Sequence, residues 1–175
     1  RSGEDDIIKN SATNFYKGDI SKEEVEKFYD AQRDPKDATP ISYGLNSQLV
    51  KENGKIYENV YKSGGLYGEA IDQIIYWLEK ANAVAENDAQ RNYTNLLIEY
   101  YKTGDLNTWD EYNVAWVQDS VSVIDYVNGF IEDYGDPMGM KATWEAVVNF
   151  KDMEATKRSS LISQNAQWFE DNSPV

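Results

Sequence analysis

The sequence contains neither cysteine nor histidine. Without cysteine the chain has no disulfide bond, no thiolate nucleophile and no zinc site with sulfur ligands. Without histidine it has no Ser-His-Asp triad, no Cys-His pair and no HExxH helix for a metal ion. Any catalytic group in this chain must therefore be a carboxylate, a hydroxyl or a lysine amine.

Basic residues are also scarce. The 175 residues include 17 Lys and Arg against 31 Asp and Glu, which gives a formal net charge of -14. Proteins that bind nucleic acid owe much of their affinity to neutralising phosphates with positive charge. We therefore expect no nucleic-acid partner, whereas a cationic partner is compatible with this composition.

Long apolar runs are missing as well, because no stretch approaches the roughly 20 residues that a membrane-spanning helix needs. We expect no membrane span. The lack of cysteine favours the cytoplasm, while the opening residues Arg1-Ser2-Gly3 leave room for an export or lipoprotein signal in a preceding segment. We interpret the chain as a piece of a longer polypeptide.

Apolar residues make up 41% of the chain and aromatic residues 13%, which is enough for one folded core. Apolar residues at helical spacing predict several amphipathic helices. Two of them begin with a capping-box pattern, in which Ser21 pairs with Glu24 and Thr108 pairs with Glu111. The predicted helices cover residues 7–16, a segment starting at Ser21, and residues 71–81, 89–100, 108–116 and 152–170.

Strand signals are fewer. Asn53-Gly54 predicts the turn of a hairpin between residues 48–51 and 55–61, because these residues tolerate positive φ angles. Residues rich in β-branched and aromatic side chains predict two more strands. The expected fold is mainly α with a minor β component, an α+β fold. The single segment 1–175 divides into a helical lead-in, a hairpin with helices, and a final strand, loop, strand and helix: residues 1–42, 43–120 and 121–175, with the last two strands at 121–127 and 144–150.

An acidic run extends from Thr103 to Met140, a stretch without any Lys or Arg. In a cleft, such a run would concentrate negative potential and favour a cationic group such as the amino terminus of a peptide. Alternatively, it is a solvated acidic face that only aids solubility. The acids of the run are Asp105, Asp110, Glu111, Asp119, Asp125, Glu132, Asp133 and Asp136.

Glu132 and Tyr134 stand near the expected end of a strand. If this stretch is extended, both side chains project from the same face, because side chains alternate along a strand. The carboxylate could then accept hydrogen bonds from an ammonium group, and the phenol could donate to an oxygen that gains negative charge. A half-buried tyrosine beside exposed acids is the alternative interpretation.

These residues resemble dipeptidyl peptidase III, a family of zinc exopeptidases that remove dipeptides from peptide amino termini. The central motif runs from Gly129 to Pro137, and a second one runs from Trp144 to Asn149. Other segments resemble the bacterial branch of the family and extend the match over residues 43–175. These segments are Tyr43-Gly44-Leu45-Asn46-Ser47, Gly64-Gly65-Leu66-Tyr67-Gly68, Tyr76-Trp77-Leu78-Glu79-Lys80 and Asn165-Ala166-Gln167-Trp168-Phe169-Glu170.

The resemblance implies two lobes around a wide cleft, one largely helical and holding zinc, the other with a β-barrel core. The chain would be a fragment upstream of the zinc motif, mostly from the barrel-containing lobe. Members of the family bind zinc through a helix of the HExxxH type and a downstream Glu, which a chain without histidine cannot supply. We therefore expect zinc in the full-length parent, no metal bound by this chain, and contact with the remainder of the parent polypeptide.

The resemblance also assigns residues. Glu132 matches a carboxylate that holds the free amino group of the substrate, and Glu145 matches a further acid of the active site. Tyr134 matches the catalytic tyrosine that assists at the scissile carbonyl. Asp136-Pro137 is interpreted as structural, because proline fixes the turn after Tyr134.

The implied function is a portion of a zinc-dependent dipeptidyl peptidase that binds a peptide substrate and is inactive on its own. A noncatalytic peptide-binding or scaffolding module is the main alternative. A self-contained carboxylate enzyme, such as a glycosidase using Glu132 and Glu145, is a third possibility, which requires two acids facing each other across a sugar.

Overall fold

The order of helices and strands is given by a computed structural model that describes residues 6–174. Along the sequence, a three-stranded sheet comes first, a group of three helices follows, and a two-stranded hairpin comes after them. The α+β fold class is thereby confirmed. The elements are β1 Tyr16–Lys17, α1 Lys22–Asp30, β2 Ser47–Glu52, β3 Lys55–Val60, α2 Gly68–Ala83, α3 Asp88–Thr103, α4 Leu106–Gln118, β4 Ile124–Glu132, β5 Thr143–Phe150, α5 Met153–Gln164 and α6 Ala166–Asn172.

The helix predicted over residues 7–16 is wrong. Residues 7–10 form a turn, and the chain then extends into β1, which pairs in parallel with β2. Ile8 and Phe15 are buried. Their spacing suits a helix, but they are buried by packing in the amino-terminal part of the fold, where Ile8 shares a core with Val25 and Leu49. Tertiary contacts therefore override the local pattern here.

Both local signals near the amino-terminal sheet are confirmed. The Ser21 hydroxyl accepts a hydrogen bond from the Glu24 amide at 3.3 Å, and the Glu24 carboxylate accepts one from the Ser21 amide at 3.1 Å. This capping box starts α1. The hairpin of β2 and β3 turns at Asn53 and Gly54, which have φ angles of 51° and 77°.

The main core is formed by α2, α3 and α4, as their apolar spacing predicted. Tyrosines and a tryptophan contribute most of its large side chains, including Tyr93, Tyr101 and Trp109. The predicted start of α4 is wrong by three residues, because Asp105 is the N-cap instead of Thr108. The Asp105 carboxylate accepts a hydrogen bond from the Asn107 amide at 3.0 Å, so it satisfies the helix end one turn earlier.

Both strands predicted near the carboxyl end form, although β4 begins three residues later than predicted and ends five residues later, at Glu132. β4 and β5 pair with each other in an antiparallel hairpin. Buried hydrogen bonds hold this hairpin on the helical core. The Tyr101 hydroxyl donates to the Asn128 side chain at 2.7 Å and accepts from the Trp144 indole at 2.8 Å. The long loop of residues 133–142 joins the two strands and bears the sequence motif of interest.

The predicted carboxyl-terminal helix forms as two helices, α5 and α6, whose described side chains are largely exposed. Within residues 6–174, no helix combines the length and apolar character needed to cross a bilayer. The three-part division of the chain at residues 42 and 120 stays a prediction.

Candidate functional site

Glu132 and Glu145 lie on paired strands at the loop end of the β4–β5 hairpin. Glu132 pairs with Thr143, and Glu145 pairs with Gly129. The register shifts by one residue between Phe130 and Glu132. In a regular ladder Glu132 would face the side opposite to Glu145, because side chains alternate with period two. The bulge therefore places both glutamates on the same face of the hairpin.

The two carboxyl groups interact directly. The pKa of Glu132 is raised, first because its carboxyl shares a hydrogen bond with that of Glu145, and then because of partial burial and the charge of that neighbour. Glu132 therefore keeps its proton to a higher pH than an isolated glutamate does.

Tyr134 lies two residues beyond the end of β4 and is 80% exposed. The Tyr134 side chain lowers the pKa of Glu132 and so partly offsets its rise. The structure thus brings together all three residues singled out in the sequence. The reason differs from the expected strand alternation, because β4 ends at Glu132 and the loop returns the phenol to it.

Gly129 lets the Trp109 ring of α4 pack directly against the backbone of the hairpin. A Cβ atom at this position would lie 2.4 Å from the Trp109 side chain, so the indole of α4 occupies the space where a side chain would be. Because Gly129 pairs with Glu145, the glycine brings the aromatic core close to the strand segment that carries the site.

An apolar cavity of about 550 Å³ opens beside the hairpin. Its walls include Phe130, Thr143 and Trp144 of the hairpin and Tyr61 and Ile71 of the preceding elements. Thr143 is the ladder partner of Glu132, whereas neither glutamate is among the cavity walls. The cavity is thus an apolar site at the loop end of the hairpin, separate from the carboxyl pair.

Asp136 fixes the loop, as the sequence interpretation of Asp136-Pro137 predicted. Its side chain is only 3% exposed. One carboxylate oxygen accepts hydrogen bonds from the amides of Met140 and Lys141 at 2.9 Å, and from the Tyr16 hydroxyl at 3.0 Å. The loop therefore closes on its own carboxylate and is tied to β1.

Sequence reasoning missed Lys141. The residue is fully buried, at 0% exposure, although it is the first cation after the acidic run. A single lysine after Gly-Met in a loop has no pattern that indicates burial, because its partners come from distant parts of the chain. Its position is considered further below.

The acidic run is neither a uniform face nor a single cluster. Asp105 caps α4, and Asp119 accepts hydrogen bonds from the amides of Val121 and Ser122 at 3.2 Å. Asp125 accepts from the Trp116 indole at 2.8 Å. Several acids of the run therefore serve the fold. Glu132 differs because its partner is another acid.

No metal site forms in the part of the chain that is described, residues 6–174. There is no group of three or more Cys, His, Asp or Glu side chains that could hold an ion. The carboxyl pair alone offers two ligand residues, and the sequence has no imidazole or thiolate to complete a zinc site. The residues present therefore do not fit a zinc ion.

Comparison with known families identifies this combination of motif and fold. The profile of Peptidase family M49 matches residues 6–174, which is nearly the whole chain. The chain belongs to peptidase family M49. The resemblance to dipeptidyl peptidase III is thereby confirmed for residues 43–175 and extends to the amino-terminal residues as well.

Relatives agree with this assignment. Dipeptidyl peptidase 3 of Dictyostelium discoideum is 25% identical over an alignment of 183 positions, gaps included. This alignment covers 93% of the chain and 26% of that protein. Dipeptidyl peptidase 3 of Rattus norvegicus is 33% identical over 106 residues, which cover 59% of the chain and 14% of that protein. The chain thus spans about a quarter of the length of the Dictyostelium relative.

The fold agrees too. The structure of DPP III from Caldithrix abyssi superimposes with a TM-score of 0.67 at 24% identity, over 91% of this chain and 29% of that one. At this level of identity the likeness shows a shared fold.

Proposed function

We propose that this M49 chain is the substrate-binding portion of a zinc-dependent dipeptidyl peptidase that releases dipeptides from peptide amino termini. The observation that carries the proposal is that the bulged hairpin places Glu132 and Glu145 on one face at its loop end, with the exposed Tyr134 two residues further on. The chain belongs to the family but covers only about a quarter of the Dictyostelium relative, which supports a longer parent protein.

Glu132 and Glu145 bind the free amino group of the peptide. An ammonium group supplies the positive charge and the hydrogen-bond donors that two adjacent carboxylates need. No ion pair of either glutamate exists within residues 6–174. An amino terminus that enters the site therefore offsets the repulsion between the two acids. A fixed anion at this position binds the amino terminus of the substrate in one place and thereby selects the peptide bond that is cleaved.

Tyr134 acts at the scissile carbonyl. Its hydroxyl is exposed, so it can reach a substrate that is held by the neighbouring glutamates. A phenol donates a hydrogen bond to an oxygen that gains negative charge, which stabilises the transition state more than the bound substrate. Tyr134 is thus the catalytic residue that this chain supplies.

The zinc that such a peptidase uses is held by polypeptide outside this chain, because these residues do not fit the ion. Zinc in that position would polarise the carbonyl and activate water. What this chain supplies is binding of the amino terminus, orientation of the peptide and the phenol. On its own it is inactive, and its direct partner is the remainder of the parent polypeptide.

The test is dipeptide release by the full-length protein from one peptide with a free amino terminus and from its N-acetylated form. Glu132→Gln should raise KM for the free peptide at least tenfold, because it removes the charge that pairs with the ammonium. Asp133→Asn is the matched control, since it removes an adjacent exposed charge. Its KM should stay within about twofold of the natural protein, as is usual for exposed charges.

Equal cleavage of the acetylated and free peptides would contradict the proposal, and so would equal effects of the two substitutions. Zinc-dependent dipeptide release by the purified 175-residue chain would contradict the placement of the metal. Amine-dependent peptide binding without any release by the full-length protein would favour the peptide-binding module instead.

A further inference from the structure

The Lys141 ammonium is enclosed by acceptors from three separate segments of the chain. It donates to the Tyr29 hydroxyl of α1 at 2.6 Å and to the backbone oxygen of Gly44 at 3.2 Å. It also approaches Ser47 of β2, with the backbone oxygen at 3.1 Å and the hydroxyl at 3.0 Å. A buried cation is tolerated only when it is fully hydrogen-bonded, and this one is.

Charged and titratable groups surround the same ammonium. Tyr29 and Ser47 each donate to the Glu58 carboxylate of β3, at 2.8 Å and 2.6 Å, so two hydroxyls link the lysine to an acid. Asp136 of the loop is the second acid nearby, and the Tyr16 ring of β1 lies 5.7 Å from the nitrogen. Burial lowers the pKa of Lys141 to about 8, and the two acids limit the decrease.

The pocket is shaped for the lysine. Gly44 has a φ angle of 85°, and a Cβ there would lie 2.6 Å from the Tyr29 oxygen and 3.2 Å from the lysine nitrogen. Any larger residue would thus push into the ammonium site. The next residue along the loop is also fixed, because the Ala142 amide donates to the Leu45 oxygen at 2.9 Å.

We propose that Lys141 is a positioning residue for the peptidase reaction, which fastens the loop of residues 133–142 to the amino-terminal sheet and thereby places Tyr134. This inference rests on the function proposed above. Lys141 does not touch the substrate. It acts together with Asp136, which lies two residues after the tyrosine. The Asp136 carboxylate accepts a hydrogen bond from the Lys141 backbone amide, so the anchored residue also holds the turn that follows Tyr134.

Tyr134 depends on this anchor more than Glu132 does. Glu132 belongs to β4 and is held by its ladder pairing with Thr143. Tyr134 lies outside any strand, and its exposed ring has few contacts that could fix it. Loosening the loop should therefore misplace the phenol while the carboxyl pair keeps its position.

The test compares Lys141→Met with Lys151→Met in the full-length protein. Methionine fills similar volume without charge, and Lys151 is an exposed lysine whose amine, among residues 6–174, donates to the Ser120 oxygen alone, at 3.1 Å. Lys141→Met should lower kcat about 10-fold to 100-fold, as a misplacement of about 1 Å does, with KM changed less than about twofold. Lys151→Met should change neither.

Amide hydrogen exchange supplies the second readout. The amides of residues 136 and 139–142 are hydrogen-bonded in the native loop and should exchange faster in Lys141→Met. Tyr29→Phe removes one acceptor of the ammonium and keeps the ring. It should give a smaller loss of the same kind, and it decides the matter if Lys141→Met does not fold.

Unchanged loop protection, or equal changes in kcat and KM, would overturn the positioning role. Failure of the proposed function is recognised separately. In that case Glu132→Gln leaves KM unaltered or the natural protein releases no dipeptide, whereas failure of this inference leaves the Glu132 effect intact and Lys141→Met fully active.

Discussion

Raising the pH from 8 to 9 is expected to stabilise this chain against unfolding. The cause is Lys141, whose pKa is about 8 in the folded chain and returns to 10.5 when the residue is exposed. Between these two values the unfolded chain binds a proton that the folded chain has lost. Stability rises with pH wherever the unfolded state binds more protons.

The size of the effect follows from the two pKa values. At pH 8 the folded lysine is half protonated, and by pH 9 it is largely neutral. The corresponding contribution of the lysine to the free energy of unfolding over this interval is a gain of about 1 kcal/mol. For a chain of this size, that gain corresponds to an increase of about 0.5 M in the urea midpoint.

Buried tyrosines limit the gain at higher pH. Burial raises the pKa of at least eight tyrosines, and their hydroxyls stay protonated in the folded chain while those of the unfolded chain ionise near pH 10. These tyrosines are Tyr16, Tyr29, Tyr61, Tyr93, Tyr100, Tyr101, Tyr112 and Tyr126. Here the folded state binds more protons, so stability falls as the pH increases further. The expected curve therefore has a maximum near pH 9.

The assay is urea unfolding of the chain at half-unit pH steps from 7 to 11, followed by tryptophan fluorescence. Lys141→Met should lack the rise between pH 8 and 9 but keep the decrease above it, whereas Lys151→Met should match the natural chain. A rise of the same size in Lys141→Met would refute the reasoning, and so would a flat profile in the natural chain.

Two further predictions concern the hairpin. Tyr134→Phe in the full-length protein should lower kcat about 100-fold or more with little change in KM, because it removes a donor to the developing oxyanion; equal losses in binding and turnover would deny it that role. Tyr76→Phe, at another exposed tyrosine, is the control for the kinetics. Gly129→Ala should lower the free energy of unfolding by about 1–3 kcal/mol, because its Cβ would clash with the Trp109 ring; a urea midpoint like that of the natural chain would contradict this packing.

Signals that act within a few residues could be predicted from the sequence. The capping box at Ser21, the Asn53-Gly54 turn and the apolar spacing of α2 each describe a local preference that the fold keeps. The start of α4 was predicted wrongly for a simple reason. Asp105 offers the same cap chemistry as Thr108, three residues earlier, and the sequence alone does not rank the two.

Errors and omissions arise where distant segments meet. Ile8 and Phe15 have helical spacing, but contacts elsewhere in the chain bury them. Lys141 is the clearest case, because its acceptors lie 94 to 112 residues away in sequence. The proximity of Glu132 and Glu145 likewise depends on a β-bulge, and no residue type in β4 predicts that bulge.

The burial of Lys141 bears on the charge of the candidate site. A free lysine this near in sequence to Glu132 could fold back and neutralise the carboxyl pair. Its amine is instead committed to Tyr29, Gly44 and Ser47, and the next lysine, Lys151, donates to the far end of the hairpin near Ser120. The acidic pair therefore keeps an uncompensated charge within the described chain, and the ammonium of a substrate meets no internal competitor. Anchoring the loop and keeping the anion free are thus two consequences of one buried side chain.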